Sequence, residues 1–291
     1  MGSPIEKGDK SPERLKPRRG HVVLDLDGVI VRWPQYDLPI QSEQAEFFAC
    51  LGGLRKEGVD FSVLTNRSSA AMQMLAYQLG ENNGIWSTES GATEYNVEDH
   101  QTAVLDEWVP FARHRVPVLR TFLEDNFGIT GRNIIPTSDV GRAQFEPGSL
   151  VKTVVVPPPG WNAKDYFNKV MSPVWVDHRE EFDDFVVEVG KGIDFDPAGL
   201  SKEKGLEHLL TANRIDPEIT PVIFIADARR DCSAATYLLE RGGYAGAVGN
   251  SAEEYLNLVS KHERGIVPVQ PGTIYHRSVV DILNQFLTKL K

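Results

Sequence analysis

The chain is predicted to be an α/β protein: a parallel sheet with helices on both faces, interrupted by an inserted α/β domain. Three observations predict it. Apolar runs of strand length alternate with amphipathic, helix-length segments at both ends of the 291-residue sequence. The alternation breaks between about Thr93 and Asp194 and then resumes. Polar groups of complementary chemistry follow the apolar runs, where open parallel sheets bind their ligands.

The elements read in order. Met1 to Gly20 is rich in Lys, Arg, Pro, Ser and Gly and reads as a disordered tail, with Arg18-Arg19 as solvated charge. His21–Leu26 is a strand. Ser42–Glu57 is a helix, capped by Ser42, acidic in its first turn and ended by Gly58. Asp60–Leu64 is a second strand, and Ser69–Leu79 a helix stopped by Gly80. Gly84–Ser87 is a third strand, placed in the same parallel sheet. In the insertion Gln101–Phe127 reads as largely helical. Ser149–Val156 and Phe185–Val189 are strands, separated by Pro157-Pro158-Pro159-Gly160 and a helical segment near Asp165–Met171. The alternation resumes with helix Ser201–Leu210, strand Pro221–Ala226, helix Cys232–Arg241, strand Gly246–Val248 and helices Ala252–Ser260 and Ser278–Leu290. The expected domains are therefore a tail (1–20), a core (21–93 and 195–291) and an inserted unit (94–194).

Composition narrows the function. A net charge of -10 argues against a nucleic-acid surface, which needs basic clusters. Two cysteines, Cys50 and Cys232, are too few for a disulfide framework or a thiolate zinc site. No apolar run has the length of a membrane span and no early segment looks like a signal peptide, so a reducing cytoplasm is the expected setting.

Asp25-Leu26-Asp27-Gly28 carries the most chemistry. It follows the apolar run His21-Val22-Val23-Leu24, so the acidic pair sits where a buried strand runs out. The first carboxylate faces a ligand; the second offers its carbonyl and swings its side chain in from the flank. Gly28 lets the backbone fold over an anion. Asp-x-Asp-Gly also occurs in calcium loops and plain turns, but Val29-Ile30-Val31-Arg32-Trp33 follows here and cannot ligate calcium.

Other strand ends add to it. Thr65-Asn66 follows the second strand, Lys202 opens a helix, and Asp227 and Asp231 follow Pro221–Ala226. In phosphoryl transfer each type has a task. A magnesium ion held by Asp25, the Asp27 carbonyl and Asp227, with Asp231 nearby, would neutralise a phosphate. Lys202, Thr65 and the Asn66 N–H would bind its oxygens. Asp25 would be the nucleophile and Asp27 the general acid and base. Singly each is commonplace: Thr65 as a strand-end cap, Lys202 as a solvated charge, Asp227 with Arg229-Arg230-Asp231 as a surface ion-pair cluster.

These residues, in this order, resemble the haloacid dehalogenase-like hydrolase superfamily. Its hydrophobic-Asp-x-Asp-Gly motif is matched by Leu24–Gly28, its strand-ending Thr by Phe61–Thr65, its Lys by Ser201-Lys202, and its acidic motif by Asp227 to Asp231. The insertion is the position of an α/β cap. Glu89-Ser90-Gly91-Ala92 and Gly249-Asn250-Ser251-Ala252 are similar to segments of the Cof-type and sucrose-phosphate phosphatase branch, while Thr65-Asn66-Arg67-Ser68-Ser69 is also similar to a branch with a different α/β cap. The resemblance implies a Rossmann-like core, magnesium dependence and hydrolysis of a phosphorylated sugar or related small metabolite. Two departures stand out: Ala226 for the usual Gly, and Arg230 where an amide is usual, which would either repel magnesium or point away. Lys204 is a rival to Lys202, with the spacing to Leu206 favouring Lys202. Lys152, Arg179 and Lys191 are read as surface charges rather than substrate contacts.

Three other functions compete. A phosphosugar mutase would pass the same phosphoryl group to a sugar hydroxyl. A signalling receiver module is far shorter and carries its acceptor Asp after a later strand. A catalytically weakened binding protein is suggested by Arg230 and opposed by the retained Asp25, Asp27, Thr65, Lys202 and Asp227.

Overall fold

The computed structural model describes residues 18–30, 41–80, 84–131, 142–146, 148–190, 192–270 and 275–291. Residues 1–17 of the tail expected over 1–20 lie outside them, as do Lys191 and Val31-Arg32-Trp33. The end of that tail is tied down. Arg18 and Arg19 make ion pairs with Asp60 and Glu57, and buried Gly20 opens the first strand.

The core is a five-stranded, all-parallel sheet. It uses β1 (Gly20–Leu24) and β2 (Val59–Val63) from the first half of the chain. From the second half come β10 (Val222–Ala226), β11 (Tyr244–Ala247) and β12 (Gly265–Ile266), giving the order β12-β11-β10-β1-β2. All five β1 residues are buried, as expected for a central strand covered on both sides. Alternate residues face alternate layers. Val22 and Leu24 pack with α1 (Gln41–Lys56), α2 (Met72–Leu79) and α9 (Tyr275–Lys289). Val23 packs with α6 (Lys202–Ala212), α7 (Cys232–Glu240) and α8 (Glu253–Lys261) on the other side. The helix cap expected at Ser42 lies outside the described side chains, and that helix begins at Gln41.

The third strand departs from expectation. β3 (Ile85–Thr88) joins β4 (Thr93–Asn96) and β5 (Gln101–Val104) in a three-stranded antiparallel sheet. A single parallel bridge between Leu64 and Ser87 links it to the main sheet. The expected helix over Gln101–Phe127 is likewise corrected: its first four residues form β5, and the helix α3 runs over Val109–Phe127. The paired edge of β4 claims Gln101–Val104 for the sheet, a long-range effect invisible to local periodicity.

The insertion carries a four-stranded antiparallel sheet of β6 (Gln144–Phe145), β7 (Thr153–Val156), β8 (Phe185–Val189) and β9 (Ile193–Pro197), in the order β6-β7-β9-β8. Helices α3, α4 (Ala163–Tyr166) and α5 (Ser172–Asp177) share one apolar core with it, centred on Leu119, Leu123, Phe182 and Phe195. Expected as strand, Ser149–Lys152 instead forms a loop, for a reason given below.

Candidate active site

The carboxyl ends of β1, β2 and β10 open into a cavity of about 420 Å³. Asp25 is the first residue past β1 and still donates its N–H to the Ile225 carbonyl, so the sheet sets its position. Asp25, Asp227 and Asp231 bring one carboxylate oxygen each to within 4.8 Å of the others. Gly28 closes the turn with φ +85°, and a Cβ there would lie 1.8 Å from Asp227 Oδ2. The glycine is thus required twice, for its backbone angle and for the carboxylate beside it. Asn250 supports the turn, donating to the Gly28 carbonyl at 2.8 Å.

Lys202 reaches this group from the first turn of α6. Its Nζ lies 2.9 Å from Asp25 and 2.5 Å from Asp231. Burial disfavours its charge, but the two carboxylates outweigh burial and raise its pKa. Asp25 goes the other way: burial, with Asp231 adding to it against the pull of Lys202, pushes its carboxyl up to about 6. Ser201 caps the helix by accepting from the Lys204 N–H. Lys204 is exposed, so the geometry favours Lys202 over its rival. Gly205 makes the approach possible: a Cβ on it would come within 2.8 Å of Gly91 Cα.

Asp27 stands apart from the three-carboxylate group. Both its oxygens are held by Arg67, at 2.8 Å from Nε and 2.6 Å from Nη2. Sequence pattern alone assigns Arg67 no role, because its partner lies on the loop after a different strand. Asn66 lines the cavity, whereas Thr65 is fully buried, does not line it, and accepts the Arg67 N–H on Oγ1.

The Glu89-Ser90-Gly91 segment holds this loop in place. All three residues have positive φ, at 49°, 56° and 105°, an uncommon run stabilised by its contacts. Glu89 N–H donates to Arg67 O and Ser90 N–H to Thr65 O, while Ser90 Oγ donates to Asn66 Oδ1. The Glu89 carboxylate, fully buried, accepts the N–H groups of Leu150, Val151 and Lys152. Burial outweighs these three bonds and raises its pKa. Those bonds explain why 149–152 is a loop: its donors serve Glu89 rather than a strand neighbour.

The insertion closes the cavity with charge. Lys152 is 1% exposed, which corrects the surface reading; it pairs with Asp194 at 2.7 Å and Asp196 at 3.8 Å. Asp194 also accepts from Asn66 at 3.4 Å. Arg230 points away from the three-carboxylate group toward the insertion, 3.4 Å from Glu188 and 3.9 Å from Asp194. Arg179 is exposed, as expected. Strand β9, which brings Asp194 and Asp196 to one face, was missed. Its apolar–acidic alternation Ile193-Asp194-Phe195-Asp196 was the available signal. Glu146 was missed too, and nothing in its neighbourhood marks it.

The fold is that of solved haloacid dehalogenase-like hydrolases. A haloacid dehalogenase-like hydrolase from Bacteroides thetaiotaomicron superposes with TM-score 0.54 at 19% identity, over 82% of this chain and 91% of its own. The sucrose-phosphatase of Synechocystis, solved with sucrose and phosphate, gives 0.56 at 17% over 92% and 98%. A Thermoplasma acidophilum protein gives 0.60 at 14% over 94% and 100%. No protein-family model and no curated protein matches the sequence. Among the described residues no helix is long and apolar enough to cross a membrane.

Proposed function

We propose that this protein is a magnesium-dependent phosphatase that cleaves a phosphate monoester of a sugar or related small metabolite, in the cytoplasm, through an aspartyl-phosphate on Asp25. The convergence of Asp25, Asp227 and Lys202 on one cavity, with the fully buried Asp231 behind them, carries the reading. Solved structures of the same fold include phosphatases, such as the sucrose-phosphatase above.

The donor set fits a hard divalent cation: oxygen ligands only, three carboxylates in reach of one point, with a lysine balancing the excess charge. Asp25, the Asp27 carbonyl and Asp227 would hold magnesium, with Asp231 beside them. Bound there, the ion neutralises phosphate charge so that an anionic nucleophile can approach.

An Asp25 oxygen attacks phosphorus, and the ester P–O bond breaks. Arg67 holds both Asp27 oxygens, so one of them must first be released and protonated; Asp27 then gives that proton to the leaving alkoxide and takes one from the water that attacks the phosphoryl-Asp25. That second attack frees inorganic phosphate and regenerates both carboxyl groups. Lys202 and the Asn66 N–H take phosphate oxygens, with Thr65 supporting the loop behind them. A screen of phosphorylated metabolites with magnesium and with a chelator tests the proposal. Phosphate release that needs the ion is expected; transfer of phosphate to a second sugar hydroxyl would favour the mutase, and no turnover of any ester would favour a binding protein.

A further inference from the structure

We propose that Glu146 reads an ammonium group on the organic part of the substrate, so that the preferred esters are phosphates of amino alcohols or amino sugars. This deepens the phosphatase reading above and rests on it.

Glu146 lines the same cavity as Asp25 and Asp27, on the wall formed by the inserted domain. The residue is only 5% exposed. Among the described residues its carboxyl has no hydrogen-bond or ion-pair partner, although its N–H is satisfied by Val154 O. A buried acid without a partner is costly unless a ligand supplies one. The buried and half-buried cations that line the cavity are committed: Lys152 to Asp194 and Asp196, Arg230 to Glu188 and Asp194, Arg67 to Asp27, and Lys202 to Asp25 and Asp231; Arg229 also lines it, from an exposed position. Glu188, Asp194 and Asp196 already outnumber Lys152 and Arg230 before Glu146 is counted, with Asp194 at the cavity surface and Glu188 and Asp196 beside it, so the charge around this wall is in negative excess.

That excess is felt by the groups themselves. Burial, with Asp194 and Asp27 adding to it against Lys152 and Arg67, pushes Glu146 up to about 7. Burial and Asp194 likewise push Asp196 up to about 6. A cationic ligand relieves both; a second anionic group on the substrate adds to the repulsion. Gly190, Gly192 and Val154 line the same cavity and bring no charge of their own to it.

The test compares matched esters: glucosamine 6-phosphate against glucose 6-phosphate, and O-phosphoethanolamine against ethylene glycol monophosphate. Wild type is expected to favour the amine of each pair by about tenfold in kcat/KM, the scale of one charge-assisted hydrogen bond. Glu146→Gln is expected to bring the ratio to near one, mainly through KM of the amine ester, and Glu146→Asp to restore part of it. Equal turnover of each pair by wild type, or a ratio unchanged in Glu146→Gln, overturns the proposal. Calorimetric binding of the same pairs to Asp25→Asn reads the preference without turnover. An amine preference there with no phosphate release by wild type would sink the phosphatase reading and leave the ammonium site standing; no preference there overturns the site.

Discussion

Arg67 holds both carboxylate oxygens of Asp27 in a two-pronged ion pair, although the two residues lie on loops after different strands. Arg67 is 4% exposed, so this contact is screened little by solvent. It fixes where the proposed acid and base points. Arg67→Lys keeps the charge but loses the paired geometry. Hydrolysis of an alkyl phosphate is expected to fall at least about tenfold, and that of 4-nitrophenyl phosphate, whose leaving group needs no proton, far less. Equal losses on both esters would show that Arg67 does not act through Asp27.

Lys202 serves two buried carboxylates at once. Lys202→Met leaves Asp25 and Asp231 facing each other without a cation, and removal of one partner from a buried ion pair costs about 3–5 kcal/mol. Urea unfolding is expected to show a loss of that order, partly recovered by adding Asp231→Asn. A double variant no more stable than the single one would contradict this.

Gly28 and Gly205 separate two kinds of crowding. In Gly28→Ala the new methyl meets Asp227 Oδ2 and the backbone is held at φ +85°, so magnesium affinity is expected to drop while the core stays folded. In Gly205→Ala the methyl meets Gly91 Cα and the Ser90 carbonyl. That pushes α6 outward, costing about 1–3 kcal/mol and drawing Lys202 from Asp25. Calorimetric titration with magnesium, paired with thermal melts, distinguishes them.

Glu146 makes stability depend on pH. Its carboxyl rises from 4.5 to about 7 on folding, so it takes up a proton as the chain folds. Its contribution favours the folded state below 4.5 and is lost as pH rises through about 7, by at most about 3 kcal/mol. Glu146→Gln is expected to lose less Tm than wild type between pH 5 and pH 8. Parallel profiles for the two proteins would contradict the assignment.

Much of the core was legible because it is local. Strand-length apolar runs, glycine helix ends and the Asp-x-Asp-Gly turn placed β1, β2, β10 and most helices within a few residues. Pairing partners were not legible. β3 is a short Ile-Trp-Ser-Thr run that does not itself name its neighbours, and only the presence of β4 and β5 diverts it into an antiparallel sheet. The acidic half of the site was equally readable, because Asp25, Asp227 and Asp231 sit just beyond apolar strands. The cation network was not. Lys152 reads as surface charge until Glu89 is seen to bind the loop that carries it, and Arg230 reads as a disturbance of the metal site until Glu188 and Asp194 are seen to draw it away.

The central claim is that Asp25 becomes phosphorylated during turnover. Acid-quenching the enzyme during turnover of a radiolabelled phosphate ester with magnesium, followed by peptide mapping, measures this most directly. The account predicts an acid-stable, hydroxylamine-sensitive label on the peptide containing Asp25, and in Asp25→Asn no label and at least about 100-fold slower phosphate release. Label on any other residue, or near-normal release by Asp25→Asn, would contradict it.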